Sequence, residues 1–491
     1  MLGIGIGVGV FLLILIIAII VGVSVSKKNS SSSSSTPAQA VSTAPSTASL
    51  QGISQDSIPQ YAQGTFLDPF TWYDTTDFNV TFTNETVGGL SIMGLNSTWN
   101  DDARANSNVP PLKDSWQYGT RVIRGVNIGG WLSIEPFITP SLFTQFPSSQ
   151  GVVDEYTLSQ TLGPSQAKST IEKHYASFIT EQDFVNIQAA GFDHVRIPYP
   201  YWAVTIYSGD PYVANVSWRY LLRGLEWARK YGIRVNLDLH ALPGSQNGWN
   251  HSGRQGTIGW LNGTDGTLNA QRSLDIHRQL SAFFAQPRYA NLVTMYGLVN
   301  EPRMVSLVTS SVISWSESAI SIVRASGMPN STIIVIGDGF LGLPNWQGLL
   351  TGYPNVLLDA HQYVVFNNDQ LSLPHTPKLT FACQNWAQQT TGSMSTETGF
   401  GSFLCGEFSQ ADTDCQAYLN DVGFGNRWEG TLSMNGLGAN VLTPQCPTQN
   451  SPRCDCSSAN ASPSQYSAPY KQWLMMFAEA QMQSYELGWG W

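Results

Sequence analysis

From residue 121 onward, short apolar runs alternate with stretches in which apolar positions recur every three or four residues. Runs at 122–132, 194–199, 235–240, 292–299, 333–336, 356–361 and 403–408 read as strands. Their length and near-continuous apolar character suit strands covered on both faces. Helical periods fall at 181–190, 218–231, 270–285, 306–325 and 470–485. In the second of these, Tyr220, Leu221, Gly224, Leu225 and Ala228 mark one buried face. Strand–helix alternation of this kind implies a parallel sheet. A doubly wound sheet would show it too, but polar or acidic residues close several strands: His240, Glu301, His361 and Glu407. A closed barrel brings such strand ends to one face. The predicted fold class is α/β, a (β/α)8 barrel over 121–491. The alternation stops at Gly488-Trp489-Gly490-Trp491, which reads as the start of an eighth strand. The expectation is a barrel cut short there, its first and seventh strands facing each other across an open seam.

Ahead of the barrel the pattern changes three times. Residues 51–120 are irregular, with Trp72, Tyr73 and an alternation of Phe78, Val80 and Phe82 that suggests a hairpin. This segment is expected to cover one end of the barrel and carries no functional signal. Residues 26–50 are Ser, Thr, Ala and Pro, too polar to fold, and read as a flexible stalk open to O-glycosylation. Leu2 to Val25 is uncharged and almost wholly apolar, long enough at about 1.5 Å per residue to cross a bilayer. It lacks the basic start of a cleaved signal, so 1–25 is read as a single transmembrane signal-anchor. Gly3, Gly5, Gly7 and Gly9 are read as membrane-helix filler; no strand precedes them, which removes a nucleotide-binding loop.

Lys27 and Lys28 would by themselves place the following chain in the cytoplasm. Against them stand Asn-x-Ser/Thr acceptors at Asn79, Asn84, Asn96, Asn215, Asn250, Asn262, Asn330 and Asn460, and six cysteines. Together these favour an oxidising exterior. The expectation is a type II cell-membrane protein with its barrel on the cell-wall side, and a basic cytoplasmic tail preceding Met1.

Composition then narrows the partner. Charged residues are 12% of 491 and the net charge is −10, with no Lys/Arg cluster to bind phosphates. Nucleic acid is excluded on that ground, whereas a neutral glycan fits. Nothing in the sequence fixes an oligomeric state. There is no Gly-x-Ser-x-Gly elbow, no His-Glu-x-x-His and no phosphate loop. His174, His194, His251, His277 and His375 show no ligand spacing, so no metal or cofactor is expected. Of Cys383, Cys405, Cys415, Cys446, Cys454 and Cys456, the last two are too close to pair with each other. Disulfides are expected to staple the loops after the sixth and seventh strands.

The remaining chemistry is a pair of carboxyls. Glu301, in Asn300-Glu301-Pro302, ends the fourth strand, and Glu407, in Gly406-Glu407-Phe408, ends the seventh. Retaining cleavage of a glycoside needs two carboxyls about 5–5.5 Å apart, one to protonate the leaving oxygen and one to attack the sugar. A single glutamate at a strand end is more often a surface ion pair. Two of them on one barrel face, with the Asn300 amide in reach of a sugar 2-hydroxyl, point to the glycosidase.

These segments, with Arg124-Gly-Val-Asn-Ile-Gly-Gly-Trp131, His194-Val-Arg-Ile-Pro198, the run Leu237 to Trp249 and His361-Gln-Tyr363, resemble glycoside hydrolase family 5 and its fungal membrane-anchored exo-β-1,3-glucanase branch. The resemblance runs from Arg121 to the end. It implies retention, no metal, and release of glucose from the non-reducing ends of cell-wall β-1,3-glucan. By position it makes Glu301 the acid/base and Glu407 the nucleophile. Asn300 would serve the 2-hydroxyl, while Arg196 and Tyr363 would hydrogen-bond Glu407. His240 and His361 would touch hydroxyls or the acid/base, and Glu135 the non-reducing-end sugar. Trp249 and Phe366 would clasp the next glucose. In the family the eighth strand continues to a Trp beneath the bound sugar; here Trp489 and Trp491 stand at the entry to it. With Glu301 protonated beside an ionised Glu407, activity is expected at about pH 4–6. A β-1,6- or endo-acting glucanase keeps the same glutamates, and a catalytically inactive wall-glucan-binding protein is the reading from another class.

Overall fold

In the computed structural model, which describes residues 50–76, 83–93, 98–434, 436 and 438–491, a short antiparallel hairpin, β1 (Thr86–Val87) and β2 (Leu90–Ser91), precedes seven strands in one parallel sheet. These are β3 (Gly125–Asn127), β4 (His194–Pro200), β5 (Arg234–Ala241), β6 (Val293–Gly297), β7 (Ile333–Gly337), β8 (Val356–Gln362) and β9 (Phe403–Phe408), paired in chain order. Every residue of β4 and β5 is buried, as expected where helices cover one face and the barrel interior the other. The helices are α1 (Glu155–Ser177), α2 (Glu181–Ala189), α3 (Val216–Lys230), α4 (Gly266–Phe284), α5 (Thr309–Ala325), α6 (Asn368–Leu371), α7 (His375–Phe381), α8 (Ala387–Met394) and α9 (Ala468–Tyr485).

The first strand is shorter than the apolar run at 122–132 suggests. After Asn127 the chain turns at Gly130, whose φ is +67°. A Cβ there would overlap Ile138, so the run leaves the sheet instead of extending it. Periodicity also misses α1. Asp154 and Thr157 cap it reciprocally, but Gly163 breaks its helical geometry with φ 69° and ψ 165°, and Pro164 follows. The two halves therefore share no continuous apolar stripe.

The seam expected to stand open is bridged. Trp489 N–H donates to Phe403 O at 2.8 Å and Cys405 N–H to Gly490 O at 3.1 Å on one side. On the other, Ile123 N–H donates to Trp489 O at 2.8 Å, Trp491 N–H to Ile123 O at 3.1 Å and Gly125 N–H to Trp491 O at 2.9 Å. Three residues thus occupy the eighth position and join β9 to β3. Gly490 makes the approach possible: its φ is +115°, and a Cβ would collide with the Ile123 carbonyl. The fold is a (β/α)8 TIM barrel.

Its N-terminal end is filled by Ile123, Met295, Ile333, Val335, Leu357 and Leu404, with Tyr118 and Trp489 packed against them. Tyr118 donates to Thr294 at 2.6 Å, and Trp116 meets the His194 ring edge-on at 4.7 Å. Farther round, Trp218 donates to Ser91 O at 2.8 Å and Arg223 pairs with Asp74 at 3.1 Å. The segment before residue 121 is therefore bolted to α3 and the end of the barrel opposite the candidate site. The hairpin predicted around Phe78–Phe82, the anchor at 1–25 and all but the last residue of the stalk lie outside the described residues. Among the described residues no helix is long and apolar enough to cross a membrane.

Both disulfides, Cys415–Cys456 and Cys446–Cys454, lie in the long excursion between β9 and α9. The expected staple after the sixth strand is not found: Cys383 is free and exposed, and Cys405 is free and buried within β9. The excursion returns over the C-terminal end of the barrel. Gln416 donates to Phe137 O at 3.2 Å, and Asn250 hydrogen-bonds Asp421.

Candidate active site

The C-terminal ends of β6 and β9 bring Glu301 and Glu407 together. A carboxylate oxygen of each, with a ring nitrogen of His361, lies within 4.8 Å of the other two. Such proximity suits the retaining arrangement, in which the two carboxyls stand about 5–5.5 Å apart with no water between them. Glu301 takes a left-handed φ of +44°, a conformation that costs a non-glycine residue on the order of 1–3 kcal/mol. The loop after β5 holds it there. Gln246 Nε2 donates to Asn300 O at 2.9 Å and to His240 O at 2.8 Å, and Asn247 Nδ2 to Glu301 O at 3.3 Å. Glu407 is placed through its neighbour: Gly406 N–H donates to Asp359 Oδ1 at 2.6 Å. A Cβ on Gly406 would strike that carboxylate, which explains glycine before the glutamate.

Arg196, buried on β4, is gripped from four sides. It donates to Glu407 Oε1 at 2.7 Å, Asn300 Oδ1 at 2.8 Å and Asn127 Oδ1 at 3.1 Å, and pairs with Asp238 at 3.0 Å. Tyr363 donates to the other Glu407 oxygen at 3.0 Å. Burial works against a charged Glu407, but His361 and Arg196 outweigh it and hold its pKa below the usual carboxylate value. Burial, with the Glu407 charge beside it, pushes the Tyr363 phenol far up, so it stays a donor.

Around Glu301 the contacts favour a different proton distribution from the one the sequence suggests. His361 Nδ1 lies 2.6 Å from Oε1 and His251 Nε2 3.2 Å from Oε2. Burial opposes ionisation, yet the two imidazoles together hold Glu301 well below its ordinary value. His361, despite its own burial, is raised well above the ordinary value by Glu407, Asp359 and Glu301. His251 is pushed up to about 9, Glu301 overcoming the burial that opposes its charge. These directions favour protons on the imidazoles and an ionised Glu301.

Glu135 is buried, and that burial raises its pKa against the pull of His240 and His251. His240 Nδ1 is taken by Asp238 at 2.6 Å, leaving Nε2 toward the Asn300 amide at 3.5 Å. Trp249 meets Phe340 edge-on at 5.3 Å beneath Arg303, whose guanidinium carbon is 5.3 Å from its ring. Phe366, 45% exposed, meets Tyr363 at 5.5 Å. Trp249 and Phe366 do not pair among the ring contacts of the described residues. Among the described residues two groups, Glu135–His240–His251 and Glu301–His361–Glu407, are close enough to grip a cation. Their donors are largely spent on other partners, His240 on Asp238, His251 and His361 on Glu301, so we assign them no metal.

The family model described as Cellulase (glycosyl hydrolase family 5) matches residues 158–421, which hold both glutamates and β4 to β9. The chain belongs to glycosyl hydrolase family 5. The family 5 chain is 59% identical over 457 residues to probable glucan 1,3-beta-glucosidase D of Aspergillus fumigatus, covering 93% of this chain and 54% of that protein. With the protein of the same name from Aspergillus clavatus it shares 60% over 455 residues, 92% of this chain and 54% of the other. It thus spans about half the length of the curated relatives it matches. A solved rutinosidase from Aspergillus niger superposes with a TM-score of 0.48 at 19% identity, over 64% of this chain and 95% of that one.

Several residues of this family 5 site escape a reading by sequence. His251 has no ligand spacing to mark it, and Asp238 and Asp359 sit inside apolar strands where their partners are invisible. Phe340, 39% exposed at φ +61°, lies three positions past the end of β7, in a loop whose apolar residue carries no periodic mark. Asp238 had one available signal: an acid two positions before a histidine on a strand points to the same face.

Proposed function

We propose that this protein is a retaining exo-hydrolase of β-1,3-glucan, releasing glucose from non-reducing ends in the remodelling of a fungal cell wall. The observation that carries the reading is the close pair of Glu301 and Glu407 at the C-terminal face of the barrel, with Arg196 and Tyr363 fixed on Glu407. Glu407 attacks the anomeric carbon while Glu301 protonates the departing glycosidic oxygen. Glu301 then takes a proton from the water that releases the sugar. Asn300 is positioned for the 2-hydroxyl. Glu135 serves the terminal glucose, and Trp249 and Phe366 offer ring faces to the next residue. The names of the Aspergillus relatives support the β-1,3 linkage. The apolar stretch from Leu2 to Val25 supports anchoring in the cell membrane, with the barrel on the wall side.

Laminarin digestion by the full chain, followed by chromatography beside a Glu407→Gln variant, tests this. Glucose as the sole early product, and none from the variant, is the expected result. Longer oligosaccharides would show an endo enzyme. No product from a folded wild type would turn attention to β-1,6-glucan and then to a wall-binding role.

A further inference from the structure

His251 stands on the short turn Asn250–Ser252 after β5, on the opposite side of the Glu301 carboxyl from His361. The turn is fixed: Ser245 and Ser252 hydroxyls lie 2.6 Å apart, and Ser252 also donates to Trp249 O at 2.7 Å. The ring is edge-on to His240 at 5.4 Å and to Trp249 at 5.6 Å. One nitrogen of His251 faces two neighbours that make opposite demands. Glu301 Oε2, at 3.2 Å, favours a proton on Nε2. The Asn247 amide, at 2.9 Å, presents its NH2, because its oxygen already accepts from Trp249 N–H at 3.0 Å. An N–H aimed at Nε2 favours a lone pair there, and with it the proton on Glu301.

We propose that His251 is a positioning residue that shares one proton with Glu301, holding it on Nε2 between turnovers and returning it to Oε2 as the glycosidic bond breaks. The proposal rests on the hydrolase reading above. When the anomeric C–O bond breaks, the proton passes from Nε2 through Oε2 to the departing oxygen, and Glu407 gains the sugar ester. When water cleaves the ester, Glu301 takes its proton and the imidazole recovers it. Charge around His251 favours this store. Glu301, Glu135 and Glu407 all raise its pKa, to about 9 against burial. Asp421, from the excursion after β9, faces it too and is itself pushed up to about 6 by burial. The cations near it are His361, across Glu301, and Arg303 above Trp249; His240 is the remaining titratable neighbour.

A pair of this kind keeps one proton until the imidazole titrates. The alkaline limb of kcat/KM is then set by the pair, not by a lone carboxyl, and extends above the range expected from sequence. Profiles of kcat/KM against pH for the full chain and for His251→Asn and His251→Gln, on a β-glucoside with a poor leaving group, test this. The alkaline limb should move at least one pH unit toward acid in both variants, with the acid limb in place. An unmoved or alkaline-shifted limb would overturn the proposal while leaving the hydrolase reading intact. A second arm needs no activity: NMR titration of the His251 imidazole in wild type and in Glu301→Gln. Its pKa should fall by at least one unit in the variant, and an unchanged value would refute the shared proton. An inactive wild type with that fall present would sink only the hydrolase reading.

Discussion

Arg196 Nη1 and Glu407 Oε1 lie 2.7 Å apart, and both side chains are largely withdrawn from water. Removing one partner of such a buried pair leaves the other uncompensated, at a cost of about 3–5 kcal/mol. Because Arg196 also neutralises Asp238, Arg196→Gln is expected to lower Tm as well as activity. The sign for pH follows from the depressed Glu407 pKa. In the proposed mechanism Glu407 must be ionised to attack, so losing a cation raises its pKa and moves the acid limb of the pH profile upward. We expect a shift of at least one unit and a fall in kcat of roughly 100-fold or more. An unshifted acid limb would detach Arg196 from the nucleophile.

Gly406→Ala tests how Glu407 is placed. The added methyl would meet the Asp359 carboxylate, which accepts from Gly406 N–H and also lies 3.7 Å from His361 Nε2. Something must move, and overpacking of a filled interior costs about 1–3 kcal/mol. A lower Tm with a loss of kcat exceeding any change in KM is the expected pattern, read by calorimetry and steady-state kinetics. Unchanged kinetics would mean the strand end has room that this structure does not show.

The barrel and the two glutamates were legible because both leave marks in local sequence: continuous apolar runs for strands, and acids at their ends. What escaped depends on long-range neighbours. The closure by Trp489–Trp491 rests on backbone hydrogen bonds from three residues, too few to make a periodic pattern. α1 hides behind the Gly163-Pro164 break. Around Glu301, His361 closes β8 and was expected at a hydroxyl or at the acid/base, whereas His251 comes from the turn after β5 and no spacing announces it. The disulfide expectation assigned staples to two loops because position in sequence does not reveal that Cys405 faces the packed interior of β9 while Cys383 lies in the helical layer.

Gly490→Ala probes the closure. Its φ of +115° is one that L-residues avoid, and the new Cβ would fall on the Ile123 carbonyl. Strain and clash together should cost on the order of 2 kcal/mol or more. The amides of Ile123, Gly125 and Cys405, now donors to this segment, should lose protection from hydrogen exchange. A variant with wild-type Tm and protection would show that these hydrogen bonds contribute nothing to closing the barrel.

The excursion after β9 makes the last test. Cys415 and Cys456 close a span of 41 positions, for which chain entropy suggests about 4 kcal/mol of stabilisation. That stabilisation belongs to the excursion and not to the barrel, whose strands and core are complete without it. In the double variant Cys415→Ala/Cys456→Ala we expect the barrel transition to hold its Tm. Trypsin should then cut after Arg427, now half-buried against Asp414 and Asn420, or after Arg453. Since the excursion reaches Phe137 and Asn250, loosening it should raise KM for laminarin more than it lowers kcat. A barrel that melts along with the loop would instead make the excursion part of the cooperative core.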